Sequence, residues 1–518
     1  MKRIYGKITF TLLACLSFQF CDKKLNLTDE NRPTTESYFK TAAELQAGVN
    51  AAYSAMRAAG LVGREWFFLH DTRSDEVTAG GGQLEAPRRE LLEQPTPATS
   101  NSVMTDVWKS AYVLINRANI VITKAPEVTD NTSLRDRVVG EAKFLRAWAY
   151  FELVSQWGGV PLYTEPVTSA TDYKNKSPEA DIYTLIVSDL TDAAQKLPQS
   201  YSATDKGRAT KGAANALLGR VLMQKGDYAG AKTALLAVVN SGAYSLTANY
   251  NDNFLEETEN NSESVFEVMF YDRGDANFNW GNYNSGDGAS VPISTVRNQE
   301  YCPVAWRNLI PSNSFLNEFE NTATGAAKTD PRYKLTVYET GDLFHNNSET
   351  ITDGNQNGNS SVVNGVTKKV SWRKFMLLYK EGLTTLAGES NNAGFHPGGN
   401  NQRLIRYAEV LLMLAECEAE SGTLAAAVGY LNQVRARPSV AMPAYPTAQF
   451  PTATKNNVIR AIMHERTVEL GDESVKNMDI LRWRAKGYYP TVMADPKPGQ
   501  VNLLPIPQAE RDANPALK

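Results

Sequence analysis

Reactive side chains are scarce in this sequence. Four histidines and four cysteines are scattered over 518 residues, too thinly for a multi-ligand zinc site or a disulfide-stapled module. No CxxC, GxSxG or P-loop pattern occurs, which leaves the common thiol-redox, serine-hydrolase and nucleotide sites without a footing. His464-Glu465 opens like a zincin helix, yet Val468 stands where the second histidine belongs. Basic excess is missing too. With 53 Lys+Arg against 57 Asp+Glu the net charge is −4, so there is no phosphate-neutralising footprint and no nucleic-acid partner is expected. No stretch after the N-terminal segment approaches the roughly 18 apolar residues of a membrane-spanning helix. What remains is a large globular chain, 42% hydrophobic and 21% charged, tilted toward binding rather than catalysis. No catalytic residue, metal or cofactor is expected.

The N-terminus reads as an export signal. Lys2, Arg3 and Lys7 precede an apolar run from Ile8 to Phe20, too short for a permanent span and suited to cleavage after secretion. Cys21 stands where the apolar run gives way to Asp22-Lys23-Lys24 and is read as an acylated residue; Cys15, after Leu12-Leu13-Ala14, is the alternative. Residues 1–20 are then a lipoprotein signal peptide, 21–40 a lipidated polar tether, and 41–518 a single domain.

Within that domain the pattern is mainly α. Ala-rich or amphipathic stretches fill 41–243 and 401–490, broken at Gly158-Gly159-Val160-Pro161 and at Pro198 as helix stops require. Phe144, Trp148 and Phe151, and likewise Trp108 and Tyr112, fall at helical spacing and read as core stripes. Ala216–Val238 and Leu412–Val434 superpose without a gap: Leu218 falls on Leu414, Gly219 on Ala415, Gly226 on Gly422, Ala231 on Ala427 and Leu235 on Leu431. Each copy is a helix, a tight turn and a second helix, with small residues where the two approach. This is the tetratricopeptide-type hairpin, which buries its apolar face only by stacking on neighbours. Residues 244–400 differ, being rich in Asn, Gly, Ser and aromatics with short β-like runs at 264–270 and 334–338. They read as a loop-rich, partly β insertion, with 346–366 as loop and Gly80-Gly81-Gly82 as a flexible turn.

Carboxylates on the late helix, Glu465 and Glu469 beside Arg460 and Arg466, read as a structural ion-pair network. The aromatics of the insertion are the better lead. Tyr271, Phe278, Trp280, Tyr283, Tyr301 and Trp306 lie in a Gly/Asn/Asp-rich stretch with no helical period. Rings presented from loops beside polar groups suit the flat C–H faces and hydroxyls of sugars. Trp280, Tyr283, Tyr301 and Trp306 are the expected ligand contacts.

Several blocks together resemble a known family. They are the exported Cys and its tether, PTTESYFKTAAELQAGVNAAYSAM, EAKFLRAWAYFELVSQWGGVPLY, the two hairpins, and the terminal LLPIPQAERDANPAL. In this order they are similar to the SusD/RagB family of Bacteroidetes outer-membrane nutrient-binding lipoproteins. The resemblance implies four tetratricopeptide-like pairs with a loop-rich subdomain inserted between the late pairs. It also implies a lipid-anchored position on the cell surface and partnership with a SusC-like TonB-dependent transporter. The protein would capture oligosaccharide, or peptide in some members, and pass it to that barrel; the alternative is a peptide-binding or purely structural tetratricopeptide-type partner of the transporter. Leu470-Gly471-Asp472-Glu473-Ser474 departs from the family's more usual aromatic–acid–Gly–Arg run.

Overall fold

Helix periodicity dominates the chain, and the helices stack in sequence order. In the computed structural model, residues 38–271, 294–378 and 398–517 are described, apart from 323, 326, 345 and 346. The main helices are α1 (Ala42–Met56), α2 (Ser102–Lys124), α3 (Thr132–Trp157), α4 (Glu179–Lys196), α5 (Lys211–Lys225), α6 (Tyr228–Asn240), α7 (Tyr407–Ser421), α8 (Leu424–Arg435) and α9 (Lys455–Leu470). Each packs on the next from α1 through α8, and α9 closes the array against α7 and α8. The jump from α6 to α7 spans the insertion in sequence but not in space. The two hairpins aligned in the sequence therefore lie side by side, as stacking of apolar faces requires. Phe39, just before α1, is buried and lies against Gly48.

Local chemistry sets the helix ends. Thr41 and Glu44 form a capping box on α1, Asn101 accepts from Val103 N and Met104 N on α2, and α3 stops at Gly158 in a positive-φ conformation. Within the α5–α6 hairpin, Gly226 takes the left-handed cap, and a Cβ at Gly219 would sit 2.5 Å from Leu235 Cδ2. The small residue lets the two helices touch. Gly422 ends α7 without a left-handed φ, so the two turns differ although the helices match. The stripes at Phe144, Trp148 and Phe151 are buried, and Trp108 meets Trp157 edge-on.

The insertion is built from two-stranded pairs. Ser264–Val268 runs antiparallel to Gln402–Arg406 with register shifts, tying its two ends together beneath α7. Two expectations change here. Residues 334–338 are half helix, because Arg332–Thr336 winds up after Pro331 before the strand Val337–Glu339 begins. Residues 346–366 are not all loop: Ser361–Val363 pairs with Val366–Lys368 across Asn364-Gly365, both at positive φ. That dipeptide is the strong signal for a tight hairpin. Before α2, Ala86–Glu93 forms a short helix with Pro87 in its first turn, where a missing N–H costs nothing.

Candidate functional site

The insertion meets the array over a polar, charged interior. Arg297 donates to Asp472 Oδ1 at 2.8 Å and to Asp71 Oδ2 at 3.4 Å, and also reaches Ser474 Oγ. Tyr301 donates to Asp71 Oδ2 at 2.9 Å, and Phe67 and Phe68 meet its ring edge-on. Burial pushes the Asp71 and Asp472 carboxyls up, while Arg297 pulls them back. Tyr301, expected to touch ligand, is fully buried. It is a core residue, because a ring boxed in by two phenylalanines and tied by its hydroxyl to a buried aspartate has no face left for a sugar.

Next to this cluster runs a network of buried ion pairs. Glu469 accepts from Arg406 Nη1 at 2.8 Å, Arg437 Nη2 at 2.9 Å and Arg332 Nη1 at 3.0 Å. Glu263 takes Arg406 and Arg437, Glu473 takes Arg406 and Lys374, and Glu465 takes Arg332 and Arg435. Burial works against the charge on Glu263, but Arg437 and Arg406 hold its carboxyl down at about 2. Glu469 is likewise held well below the ordinary range against the cost of burial. The carboxylates of α9 are therefore structural, as expected. Arg466 turns away to Asp479 instead. The departure at 472–474 also gains a reading: Asp472 and Glu473 are counter-ions for Arg297, Arg406 and Lys374.

Above this floor lies a clamped turn carrying Trp306. Gly80 N donates to Asn308 O at 2.9 Å and Gly81 N to Arg307 O at 2.6 Å. A Cβ at Gly81 would fall 2.0 Å from Trp306 O, and one at Gly80 2.2 Å from Arg307 O. The triple glycine is therefore not a flexible turn; two of its residues are glycines because backbone lies against backbone. Arg307 is buried and donates to Ser371 Oγ and to the carbonyls of Asn357, Asn359 and Val370. Trp306, half-buried, rides on this fixed support. Its backbone N–H donates to Gln299 O, linking it to the helix Arg297–Tyr301, so Trp306 and Tyr301 share one segment but face different surroundings.

Trp280 and Tyr283 lie outside the described residues, as do Cys15 and Cys21. Tyr271, in the same aromatic group but ranked behind Tyr301, is 66% exposed just beyond the strand Ser264–Val268, close to the exposed Met269. Its position at a strand end was the signal that would have promoted it. Phe270 N donates to Asn401 Oδ1 at 2.8 Å, and Thr295 bridges to Gly398, so the segments bordering this face are tied to one another.

Among the described residues no group of three or more His, Cys, Asp or Glu side chains is arranged to hold a metal ion. His464 sits between Glu318 and Glu320, stacked on Phe450; burial opposes its charge, but the two carboxylates raise its pKa. Cys302 and Cys417 are buried free thiols, and burial pushes Cys302 up to about 12. Neither is poised as a nucleophile.

Fold and site together define a helical-repeat platform with a grafted loop face suited to binding. Residues 262–518 match the SusD family, and residues 83–223 match a family described as starch-binding associating with outer membrane. The chain belongs to the SusD family. It is 25% identical to SusD-like protein P25 of Formosa agariphila over 98% of this chain and 96% of that one. A SusD superfamily protein of Bacteroides vulgatus, 23% identical, shares the fold with a TM-score of 0.72 over 93% of this chain and 99% of that one. A laminarin-binding SusD-like protein, 26% identical, has a TM-score of 0.72 over 92% and 98%.

Proposed function

We propose that this protein is a non-enzymatic glycan-capturing lipoprotein of the outer membrane surface. It is held there through Cys21, with Cys15 the alternative, and hands oligosaccharide to a SusC-like TonB-dependent transporter. The observation that carries the reading is the combination of open and fixed aromatics on the loop face. Tyr271 is exposed, and Trp306 rides on a turn clamped by Arg307 and two close-packed glycines. Rings held in place lose little freedom when a sugar stacks on them. Membership of the SusD family and similarity to a laminarin-binding SusD-like protein support a saccharide ligand. Trp280 and Tyr283 complete the proposed contact group; Tyr301 is dropped from it.

Titration calorimetry of the purified protein against α- and β-linked glucan hexasaccharides tests this reading. Trp280→Ala and Trp306→Ala should each weaken binding roughly two- to twelvefold, the range expected for loss of one aromatic contact. Unchanged affinity in both variants would sink the loop assignment. Co-purification with a barrel but no affinity for any glycan would favour the purely structural partner. Cys21→Ser should move the protein to the soluble fraction.

A further inference from the structure

Among the described residues the buried arginines find a carboxylate or a carbonyl, but the half-buried Arg57 does not. It caps α1, and among the described residues its one side-chain hydrogen bond is a 3.5 Å contact with Ser54 Oγ. Burial lowers its pKa, as expected of a guanidinium short of a counter-ion. Arg57 lines a cavity of ≈ 210 Å³ with Tyr53, Lys206, Arg208, Glu267 and Met269. A second cavity of ≈ 170 Å³ shares Lys206, Gly207 and Arg208 as a wall.

The charges around it do not balance. Asp205 is engaged by Arg208 at 2.7 Å and Glu267 by Arg403 at 2.8 Å, and Arg208 is matched a second time by Glu141. Arg57 and the exposed Lys206 are left as cations without a carboxylate partner among the described residues. The chain as a whole is acidic, so this local excess is not a by-product of composition. Met269, on the cavity wall, is two residues from the exposed Tyr271, which puts the cations beside the loop face.

We propose that the cavity at Arg57 and Lys206 receives the anionic group of an acidic saccharide, either the carboxylate of a uronic acid or a sulfate ester. The planar guanidinium presents paired donors that match such oxygens, and Tyr53 and Met269 supply apolar surface for the ring that carries them. This inference rests on the glycan-binding reading and adds to it a charge class of ligand.

The test compares trigalacturonate, a sulfated trisaccharide and neutral maltotriose by calorimetry at low and moderate salt. Wild type should prefer one anionic probe over the neutral one, more so at low salt. Arg57→Gln should weaken that probe roughly tenfold or more and leave maltotriose unchanged, with partial recovery in Arg57→Lys. Lys206→Gln, at an exposed position, gives a second and smaller loss if Arg57→Gln fails to fold. Loss confined to trigalacturonate assigns a carboxylate; loss confined to the sulfated probe assigns a sulfate ester. Equal binding of all three probes, or anionic binding untouched by both substitutions, overturns the cavity but leaves glycan capture standing. No binding of any saccharide overturns both.

Discussion

In the helical array, Phe144, Trp148, Phe151 and Leu235 fill the space between helices, and small residues such as Gly219 let backbones close up. Where the insertion meets the late helices, the same space is occupied by Arg332, Arg406, Arg437 and Lys374 with Glu263, Glu465, Glu469 and Glu473, all buried. The array has periodicity to define its packing, and non-directional burial of apolar area is enough. The insertion has no such period. Hydrogen-bonded ion pairs have strict geometry, so a network of them gives irregular loops a defined seat, although a buried pair need not be more stabilising than a hydrophobic one.

The sharpest way to break this comparison is to remove one element from each region. Trp148→Ala in the array and Glu469→Ala in the network should each cost about 3–5 kcal/mol in denaturant unfolding, the first through a cavity and the second through guanidiniums left short of charge. Their acid responses should separate them. The folded chain keeps Glu263 and Glu320 ionised to about 2, below the ordinary 4.5 of an unfolded glutamate. As pH falls through that window the unfolded chain takes up protons first, so stability drops. Trp148→Ala should keep this slope and Glu469→Ala should flatten it; equal slopes would mean the network does not govern acid stability.

A mid-sized effect tests the rigid support under Trp306. Gly81→Ala should cost about 1–3 kcal/mol, because backbone oxygens leave no room for a methyl group. Gly82→Ala, with nothing within 4 Å of the added carbon, should stay within about 0.5 kcal/mol. Comparable losses at both positions would show that the turn is not clamped.

Another effect runs in the opposite pH direction. Burial pushes Glu259 up to about 8, against the hydrogen bond it accepts from Asn401 N. The folded chain therefore holds this proton where the unfolded chain has lost it, and the associated stability is present below about 4.5 and lost as pH rises toward 8. Glu259→Gln keeps an acceptor for Asn401 and should lessen that decline in urea midpoints between about pH 5 and 8. Asp472, also raised by burial against Arg297, leaves a remainder. An unaltered decline would mean that Glu259 is ionised in the folded chain.

Regular periods are legible in the sequence alone. The α5–α6 and α7–α8 hairpins, the Gly158 stop and the core stripes follow from a 3.6-residue repeat and a few turn residues. The Asn364-Gly365 hairpin carried a readable signal, hidden by the Asn, Gly and Ser around it. Tyr301 carried none: an aromatic in an irregular stretch is equally a surface ring or a core one. The choice was made by Asp71, Phe67 and Phe68, more than two hundred residues earlier in the chain.

The sequence by itself determined that the protein is a stack of helical hairpins with a polar insertion, poor in histidine and cysteine. These properties depend on composition and on spacings within a few turns. Only the tertiary structure decided which charges meet, which glycine is clamped and which aromatic is open. It also left Arg57 without a carboxylate partner among the described residues, in a chain with carboxylates to spare. Ion pairing and burial fall off over a few ångströms, so they are set by neighbours that folding supplies rather than by neighbours in the chain.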